Sequence, residues 1–359
     1  MLGIKVRIDR LRKKMVENNI EALLVTHRPN VRYLSGFTGS SGFLLVTLQD
    51  TLLFTDFRYV QQGKEEAPLF EIVRIQNSLD FAFLVDFIAQ KGLGTLALEE
   101  ANFSLKEYNC LQNFLGDIQP IYIFNFVEQI RAFKDKEEID FIAEAARIAD
   151  EALKETLPYL KVGVQERDVA LELEYRLRRG GSEKTPFEII VASGPRSSLP
   201  HGTASSKVIN RGDLVVIDFG AVYGGYSSDI TRTFIMGAPD RKQEEIYNIV
   251  LEGQEIALNN LETGKSCAAI DALVRNYFKQ NGYGTFFGHG LGHGVGLEVH
   301  ELPVLSPAGK QVLEEGMVFT VEPGIYMEGW GGVRIEDLVV LDPSGPHILT
   351  KTPKELISL

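Results

Sequence analysis

A chain of 359 residues is long enough for two domains, each with its own hydrophobic core. Hydrophobic residues make up 44% of the chain and charged residues 24%, which is typical of soluble globular proteins. The 49 acidic residues outnumber the 37 basic ones, which argues against nucleic acid or an anionic membrane as a partner.

The cysteines and the first residues of the sequence indicate the cellular compartment of the protein. Cys110 and Cys267 are isolated and form neither a metal-binding spacing nor a disulfide framework. The basic segment 7–15 contains Asp9 and lacks the apolar core of a signal peptide, and no stretch approaches the roughly 18 apolar residues of a membrane-spanning helix. We therefore expect a cytoplasmic protein.

Residues 1–125 alternate strand-like with helical segments, which predicts an α/β layer with a mixed sheet. The predicted strands are residues 21–26, 42–47, 51–55, 70–75 and 95–98, and the predicted helices lie near 5–18, 80–90 and 105–115.

A charged stretch at residues 130–137 opens a long helix in the second predicted domain, 126–359. Ile142, Ala145 and Ala149 share one face of this helix, as an amphipathic pattern requires. Further helices are predicted after residue 163 and near 241–260 and 268–280.

Two acidic residues lie in neighbouring strand-like segments of this domain. Asp218 ends an apolar run, and Asp229 lies in a second run beyond glycine-rich turn residues. A turn about residues 223–224 would place the two carboxylates directly opposite each other. Like charges so placed repel, so the pair needs a cation or a shared proton.

The same construction recurs later in the chain. A turn about Gly329 would place Glu322 opposite Glu336. Between the two acidic pairs, residues 288–301 carry three of the chain's six histidines. Every second residue from 288 to 296 is a glycine, and these glycines let the backbone approach a ligand closely. Each acidic residue alone is most simply a turn or solvated strand residue. Together with one imidazole, from His293, they indicate a metal site.

This ligand set predicts two divalent metal ions. Four carboxylates and one imidazole suit Mn²⁺ or Co²⁺, with Fe²⁺ or Zn²⁺ as alternatives. Four negative charges balance two divalent cations, which together lower the pKa of bound water and polarise a carbonyl. Hydrolysis of an acyl bond is therefore the expected chemistry. The predicted ligands are Asp218, Asp229, His293, Glu322 and Glu336.

The order of these ligands, and the strings around them, resemble the pita-bread metallopeptidases, specifically the Xaa-Pro peptidases prolidase and aminopeptidase P. Residues 30–39 and 55–59 resemble the creatinase-type N-terminal domain of this family. The resemblance implies a mixed α/β (α+β) fold, with a creatinase-like N-terminal domain before a pita-bread catalytic domain. It also implies a homodimer and an exopeptidase acting on peptides with proline in the second position. The matching strings are Val-Ile-Asp-Phe-Gly, Ser-Asp-Ile-Thr-Arg-Thr, Gly-His-Gly-Leu-Gly-His, Val-Glu-Pro-Gly-Ile-Tyr and Val-Arg-Ile-Glu-Asp.

The resemblance also gives roles to histidines outside the ligand set. It implies that His201, His289 and His300 position the substrate and stabilise or protonate the tetrahedral intermediate. It further implies that Glu322 doubles as general base. The alternative for each histidine is a polar scaffold role.

Two more residues are candidates on spacing alone. Arg334 precedes Glu336 by two positions and points to the same strand face, so we expect it to orient a ligand carboxylate. A surface salt bridge is the alternative. Phe187 is a candidate wall of an apolar proline pocket, or else a core residue.

The sequence leaves the substrate length open. Val304 follows the string His300-Glu-Leu-Pro, where some dipeptidases place a basic residue for the substrate carboxylate. An uncharged residue there favours aminopeptidase P, with prolidase as the alternative. A methionine aminopeptidase-like enzyme is disfavoured by the N-terminal domain, and a non-catalytic binding protein by the complete ligand set.

Overall fold

A computed structural model of the chain describes residues 2–77 and 81–359. Its contacts separate two compact units, Met1–Arg131 and Ala132–Leu359. The sequence predicts domains of residues 1–125 and 126–359, with the boundary near the charged stretch 130–137.

The first unit contains a mixed sheet of strand order β4-β3-β2-β1-β5-β6 within its described residues. Strands β1 to β3 are antiparallel neighbours, whereas β4, β5 and β6 are added in parallel. The strands are β1 Ala22–Val25, β2 Phe43–Thr47, β3 Thr51–Thr55, β4 Glu71–Arg74, β5 Thr95–Glu99 and β6 Gln119–Ile123, and the helices are α1 Leu2–Glu17, α2 Arg28–Ser35, α3 Val60–Glu66, α4 Ala82–Gln90, α5 Leu105–Gln112 and α6 Glu128–Arg131.

The mixed sheet and its first five strands confirm the prediction for this unit. Strand β6 was not predicted, because Pro120 interrupts its apolar run. Proline is tolerated there since β6 is an edge strand. The helix predicted at 80–90 corresponds to α4, and its first residue, Asp80, lies outside the described residues.

The second unit is built from long helices and antiparallel strand pairs. Its helices are α7 Lys136–Thr156, α8 Glu166–Arg179, α9 Arg241–Leu258 and α10 Cys267–Gln280. Its strands are β7 Ile190–Ser193, β8 Leu214–Phe219, β9 Val222–Tyr223, β10 Tyr226–Ser227, β11 Ile230–Ile235, β12 Gly292–Gly294, β13 Glu301–Leu305, β14 Val318–Val321, β15 Gly324–Met327, β16 Gly331–Arg334, β17 Asp337–Asp342 and β18 Gly345–Ile348.

Two of these helices begin with the same side-chain arrangement. Asp135 accepts a hydrogen bond from the Glu138 backbone N–H, and the Glu138 carboxylate accepts one from the Asp135 N–H. Asp240 and Gln243 repeat this arrangement at the start of α9. Each pair satisfies backbone N–H groups that the first helical turn leaves free, which fixes where the helix begins.

Each of the two larger sheets in this unit packs against a helix pair. In the sheet β11-β8-β7, Val215 lies in one apolar cluster with Ala149 of α7 and Leu173 of α8. In the sheet β13-β12-β14-β17-β18, Phe319 lies in a cluster with Val250 of α9. Among residues 2–77 and 81–359, no helix is long and apolar enough to cross a membrane.

Candidate metal centre

The five predicted ligands lie at strands or at the short links that join them. Asp218 belongs to β8, Asp229 directly precedes β11, and His293 is the central residue of β12. Glu322 lies between β14 and β15, and Glu336 lies between β16 and β17. The two sheets therefore both contribute ligands.

The predicted register of the first acidic pair is wrong by two residues. Asp218 pairs with Thr231 and not with Asp229. The reason is the turn, in which residues 224–225 are glycines with φ of 57° and 81°. Glycine adopts this left-handed backbone without strain, whereas a turn at 223–224 would force Tyr223 into it. Asp229 precedes Thr231 by two residues, so both side chains share one strand face. Because Thr231 lies opposite Asp218, Asp229 is still on the same side of the sheet as Asp218.

The second acidic pair has the predicted register. Glu322 and Glu336 lie between two paired segments, β14–β17 and β15–β16. Val321 pairs with Asp337 just before this gap, and the pairing of β15 with β16 continues the same register beyond it. Glu322 therefore lies opposite Glu336.

Side chains from both acidic pairs converge on His293. Ligand atoms of Asp229, His293 and Glu336 all lie within 4.8 Å of one another. His293 Nε2 is 3.8 Å from Asp229 Oδ2 and 3.3 Å from Glu322 Oε1. Together with Asp218, these residues line one cavity of about 460 Å³.

The hydrogen bonds of His293 orient its ring for metal binding. Nδ1 donates to the Gly294 carbonyl at 3.2 Å, which directs Nε2 toward the carboxylates. The Thr320 hydroxyl accepts from the His293 backbone N–H at 3.1 Å and donates to Glu322 Oε1 at 3.3 Å. A ring held through Nδ1 presents Nε2 as the ligand atom, as is usual for metal-binding histidines.

The pKa values reflect carboxylates crowded in a buried place. Burial and the neighbouring carboxylates raise the pKa of Asp229 and of Glu336 well above the ordinary range. Burial also raises the pKa of Asp218. Burial acts in the same direction on Glu322, but the hydrogen bond and charge of His293 outweigh it and lower the pKa to about 2. Cations placed among these groups would favour their ionised forms.

Two oxygen atoms of this site are buried without a partner. Among the described residues, neither Asp218 Oδ1 nor Asp229 Oδ1 receives a hydrogen bond. Buried carboxylate oxygens are almost always hydrogen-bonded or bound to a metal. The residues of this cavity therefore fit a pair of divalent cations in donor type, charge and unused oxygen atoms.

Arg334 is buried and holds several groups around the site. It donates to Asp218 Oδ2 at 2.5 Å, to the Thr231 hydroxyl at 3.0 Å and to the Tyr326 hydroxyl at 2.9 Å. It also donates to the Pro200 carbonyl at 3.1 Å. The alternative of a surface salt bridge is wrong, since only 4% of the Arg334 side chain is exposed.

His289 uses both ring nitrogens within the protein. Nδ1 donates to the Gly290 carbonyl at 2.8 Å, so Nε2 accepts from the Tyr326 hydroxyl at 2.9 Å. Burial lowers the pKa of His289, which favours this neutral form. His289 therefore supports Tyr326, which in turn contacts Arg334.

The remaining predicted residues line the same cavity. His300 lies with its ring centroid 4.2 Å from that of His293. His201 and His300 are exposed, while Phe187 is half-buried and faces the cavity rather than the core. Val304 also lines the cavity and is 39% exposed.

Three functional residues were missed by the sequence reasoning, namely Thr231, Thr320 and Tyr326. Thr231 donates to Glu336 Oε2 at 2.6 Å and accepts from Arg334. Its position two residues after Asp229, on the same strand face, is the signal that would have found it. Thr320 lies two residues before Glu322 and donates to its Oε1 at 3.3 Å, so the same spacing would have found it.

Comparisons with known proteins agree with this geometry. Residues 140–343 match the model of metallopeptidase family M24, and residues 7–133 match the creatinase/prolidase N-terminal domain. The chain is 41% identical to an Xaa-Pro dipeptidase of Pyrococcus furiosus over 99% of this chain and 100% of that one.

Solved structures of similar proteins carry two kinds of name. An Xaa-Pro dipeptidase from Bacillus anthracis is 43% identical, with a TM-score of 0.96 over 99% of this chain and 100% of that chain. An X-Pro aminopeptidase from Thermotoga maritima is 41% identical, with a TM-score of 0.89 over 97% and 100%.

Proposed function

The chain belongs to metallopeptidase family M24, and on this premise we propose that it is a dinuclear-metal exopeptidase that hydrolyses Xaa-Pro dipeptides. The observation that carries the proposal is the convergence of Asp229, His293 and Glu336 within 4.8 Å in one cavity. The N-terminal domain supports it against a methionine aminopeptidase-like enzyme, which would ordinarily lack this domain.

We assign two divalent ions to the five predicted ligands, Asp218, Asp229, His293, Glu322 and Glu336. Ions held there would lower the pKa of a bound water and polarise the scissile carbonyl. Oxygen-rich ligands favour Mn²⁺ or Co²⁺ among the divalent metals. Arg334 and Thr231 hold the carboxylates of Asp218 and Glu336 in place.

The substrate is handled by groups at the open side of the cavity. His201 and His300 are exposed there, and we assign them to position the peptide and to donate hydrogen bonds as the carbonyl becomes tetrahedral. Glu322 is assigned as the proton acceptor from the attacking water. His289 acts through Tyr326 rather than on the substrate, because both its nitrogens are engaged.

An apolar wall in the same cavity suits proline. Phe187 and Ile190 line this cavity, as do Pro200 and His201. The proline nitrogen in the scissile bond carries no N–H, and the ring fixes φ. A rigid apolar surface therefore binds the ring with little loss of conformational entropy.

The length of the substrate is decided by what binds its far end. The sequence favours aminopeptidase P because Val304 is uncharged, but the similar proteins favour the alternative, prolidase. We therefore propose the dipeptidase activity first.

Aminopeptidase P activity is the second candidate. Val304 is 39% exposed and lines the cavity. Its uncharged side chain provides no fixed charge for the carboxylate of a dipeptide. The T. maritima neighbour named as an X-Pro aminopeptidase supports the same possibility. A homodimer and a cytoplasmic location also stay predictions.

Steady-state kinetics on the Mn²⁺- or Co²⁺-loaded protein separates these candidates. We expect kcat/KM for Ala-Pro to exceed that for Ala-Pro-Ala, with Ala-Ala as the control that lacks proline. Preference for Ala-Pro-Ala would replace the dipeptidase by an aminopeptidase P. Failure to cleave all three peptides, with metal bound, would support a non-catalytic binding protein.

A further inference from the structure

A buried carboxylate outside the cavity holds the segment that carries His201. We propose that Glu166 is a positioning residue that fixes His201 by joining both ends of residues 193–205, called here the His201 segment. The inference rests on the proposed function, in which His201 contacts the substrate. Glu166 itself lines no part of that cavity among the described residues.

Glu166 is the first residue of α8 and is completely buried. At one end of the His201 segment, Glu166 Oε1 accepts hydrogen bonds from the Ser193 backbone N–H and from the Ser193 hydroxyl, both at 2.8 Å. Ser193 is the last residue of β7, so this end continues directly into the sheet.

The second oxygen of the same carboxylate holds the other end. Glu166 Oε2 accepts from the Ser205 hydroxyl at 2.6 Å and from the Ser205 backbone N–H at 3.1 Å. It also accepts from Arg196, whose guanidinium donates in turn to the Thr203 carbonyl at 2.8 Å. Five donors thus converge on one carboxylate, which uses its hydrogen-bonding capacity fully.

The His201 side chain depends on this backbone for its position. It is exposed, and no residue within the described ranges hydrogen-bonds to its imidazole. The preceding carbonyl, of Pro200, accepts from Arg334, which also holds Asp218. A displaced segment would therefore move His201 relative to the predicted metal ligands.

A neighbouring contact leaves the His201 segment little room. The Ser197 hydroxyl accepts from the Gly332 backbone N–H at 2.8 Å. A Cβ atom at Gly332 would lie 2.4 Å from the Ser197 carbonyl oxygen, so the segment packs directly on the β16 backbone. The segment is therefore held by the β16 backbone on one side and by the charged carboxylate of Glu166 on the other.

Glu166→Gln removes this charge with little change in volume. Whichever way the new amide turns, its N–H₂ faces donors, so the contacts at one end of the His201 segment are lost, either those with Ser193 or those with Ser205 and Arg196. The matched control is Glu172→Gln on the same helix. Glu172 also pairs with an arginine, Arg176, but does not contact the His201 segment.

Hydrogen exchange on the metal-loaded protein tests the structural part without any substrate. We expect Glu166→Gln to accelerate amide exchange within residues 193–205 and Glu172→Gln to leave it unchanged. Unchanged exchange in Glu166→Gln would overturn the proposal. Because the exchange is measured without substrate, its result does not depend on whether the proposed peptidase activity is correct.

A double-mutant cycle tests the link to His201. A misplacement of about 1 Å costs up to roughly a hundredfold in rate, so we expect Glu166→Gln to lower kcat/KM by about ten- to a hundredfold. In a His201→Ala background the same change should cost little more, because the imidazole that it positions is gone. An equal loss in both backgrounds, or loss of bound metal, would overturn the positioning role. If Glu166→Gln does not fold, Ser205→Ala replaces it, with the same pattern expected at smaller size.

Discussion

Asp218 and Arg334 form an ion pair in which Oδ2 and the guanidinium lie 2.5 Å apart, both largely shielded from solvent. The other oxygen of the carboxylate, Oδ1, has no hydrogen-bond partner among the described residues. Arg334 thus fixes one oxygen of the carboxylate and leaves the second available to bind a cation. This division of roles between the two oxygens is what a metal ligand with an orienting partner requires.

Arg334→Lys should lower both metal affinity and kcat/KM by about 10- to 100-fold. A lysine retains the charge but cannot reach Asp218, Thr231 and the Pro200 carbonyl together, because it lacks the planar fork of the guanidinium. Titration with Mn²⁺ and steady-state kinetics measure the two effects. Arg147→Lys, on the exposed face of α7, serves as the control, and equal behaviour of the two variants would contradict the assigned role.

Thr231→Val should weaken metal binding about tenfold or more while leaving the fold intact. Valine has nearly the same shape as threonine, but it removes the hydroxyl that donates to Glu336 Oε2. Thr233→Val is the matched control, since its buried hydroxyl bonds to the Arg334 backbone and not to a carboxylate. Calorimetric titration distinguishes them, and the idea fails if both variants bind metal like the wild type.

Metal removal should destabilise the protein more at pH 8 than at pH 5. Without metal, burial and neighbouring carboxylates raise the pKa of Asp229 and Glu336 well above the ordinary range. The stability that these groups contribute is therefore present below about pH 4, their ordinary pKa, and is lost as pH rises through the raised values.

Bound cations reverse this effect, because ligand carboxylates must be ionised. The difference between the melting temperatures of the metal-loaded and the metal-free protein at each pH measures the stabilisation by metal. The contribution of other acidic groups cancels in this difference. A stabilisation by metal that is equal at both pH values, or larger at pH 5, would show that these carboxylates are not the ligands.

Much of the site was predictable because hydrophobic alternation fixes which residues share a strand face. The opposition of Glu322 and Glu336 follows from a three-residue turn about Gly329, which the sequence marks clearly. The burial of Ile142, Ala145 and Ala149 on α7 likewise follows from helical periodicity. The resemblance to pita-bread Xaa-Pro peptidases is confirmed by the family matches.

Other features depend on information that a local pattern does not contain. The register of Asp218 depends on which two of several turn residues take positive φ, and the choice of 224–225 brings Thr231 opposite it. The bond between Tyr326 and His289 joins residues 37 positions apart. Such contacts depend on tertiary packing, so the sequence shows the residue types and not their pairing.

The predicted homodimer is tested by sedimentation velocity. The expectation comes from family resemblance, and we expect a species of twice the 40.0 kDa chain mass at micromolar concentration. A single monomeric species under those conditions would contradict it.

The most direct test of the metal centre is the number of metal ions bound per chain in the wild type and in Asp229→Asn, measured by mass spectrometry after loading with Mn²⁺ and removal of excess metal. Asp229 Oδ2 lies 3.8 Å from His293 Nε2, and ligand atoms of both lie within 4.8 Å of Glu336. We predict two ions in the wild type and fewer in the variant, since an amide has lost the charge that a divalent cation requires. A variant that folds and still holds two ions would contradict the assignment of these residues as a two-metal centre.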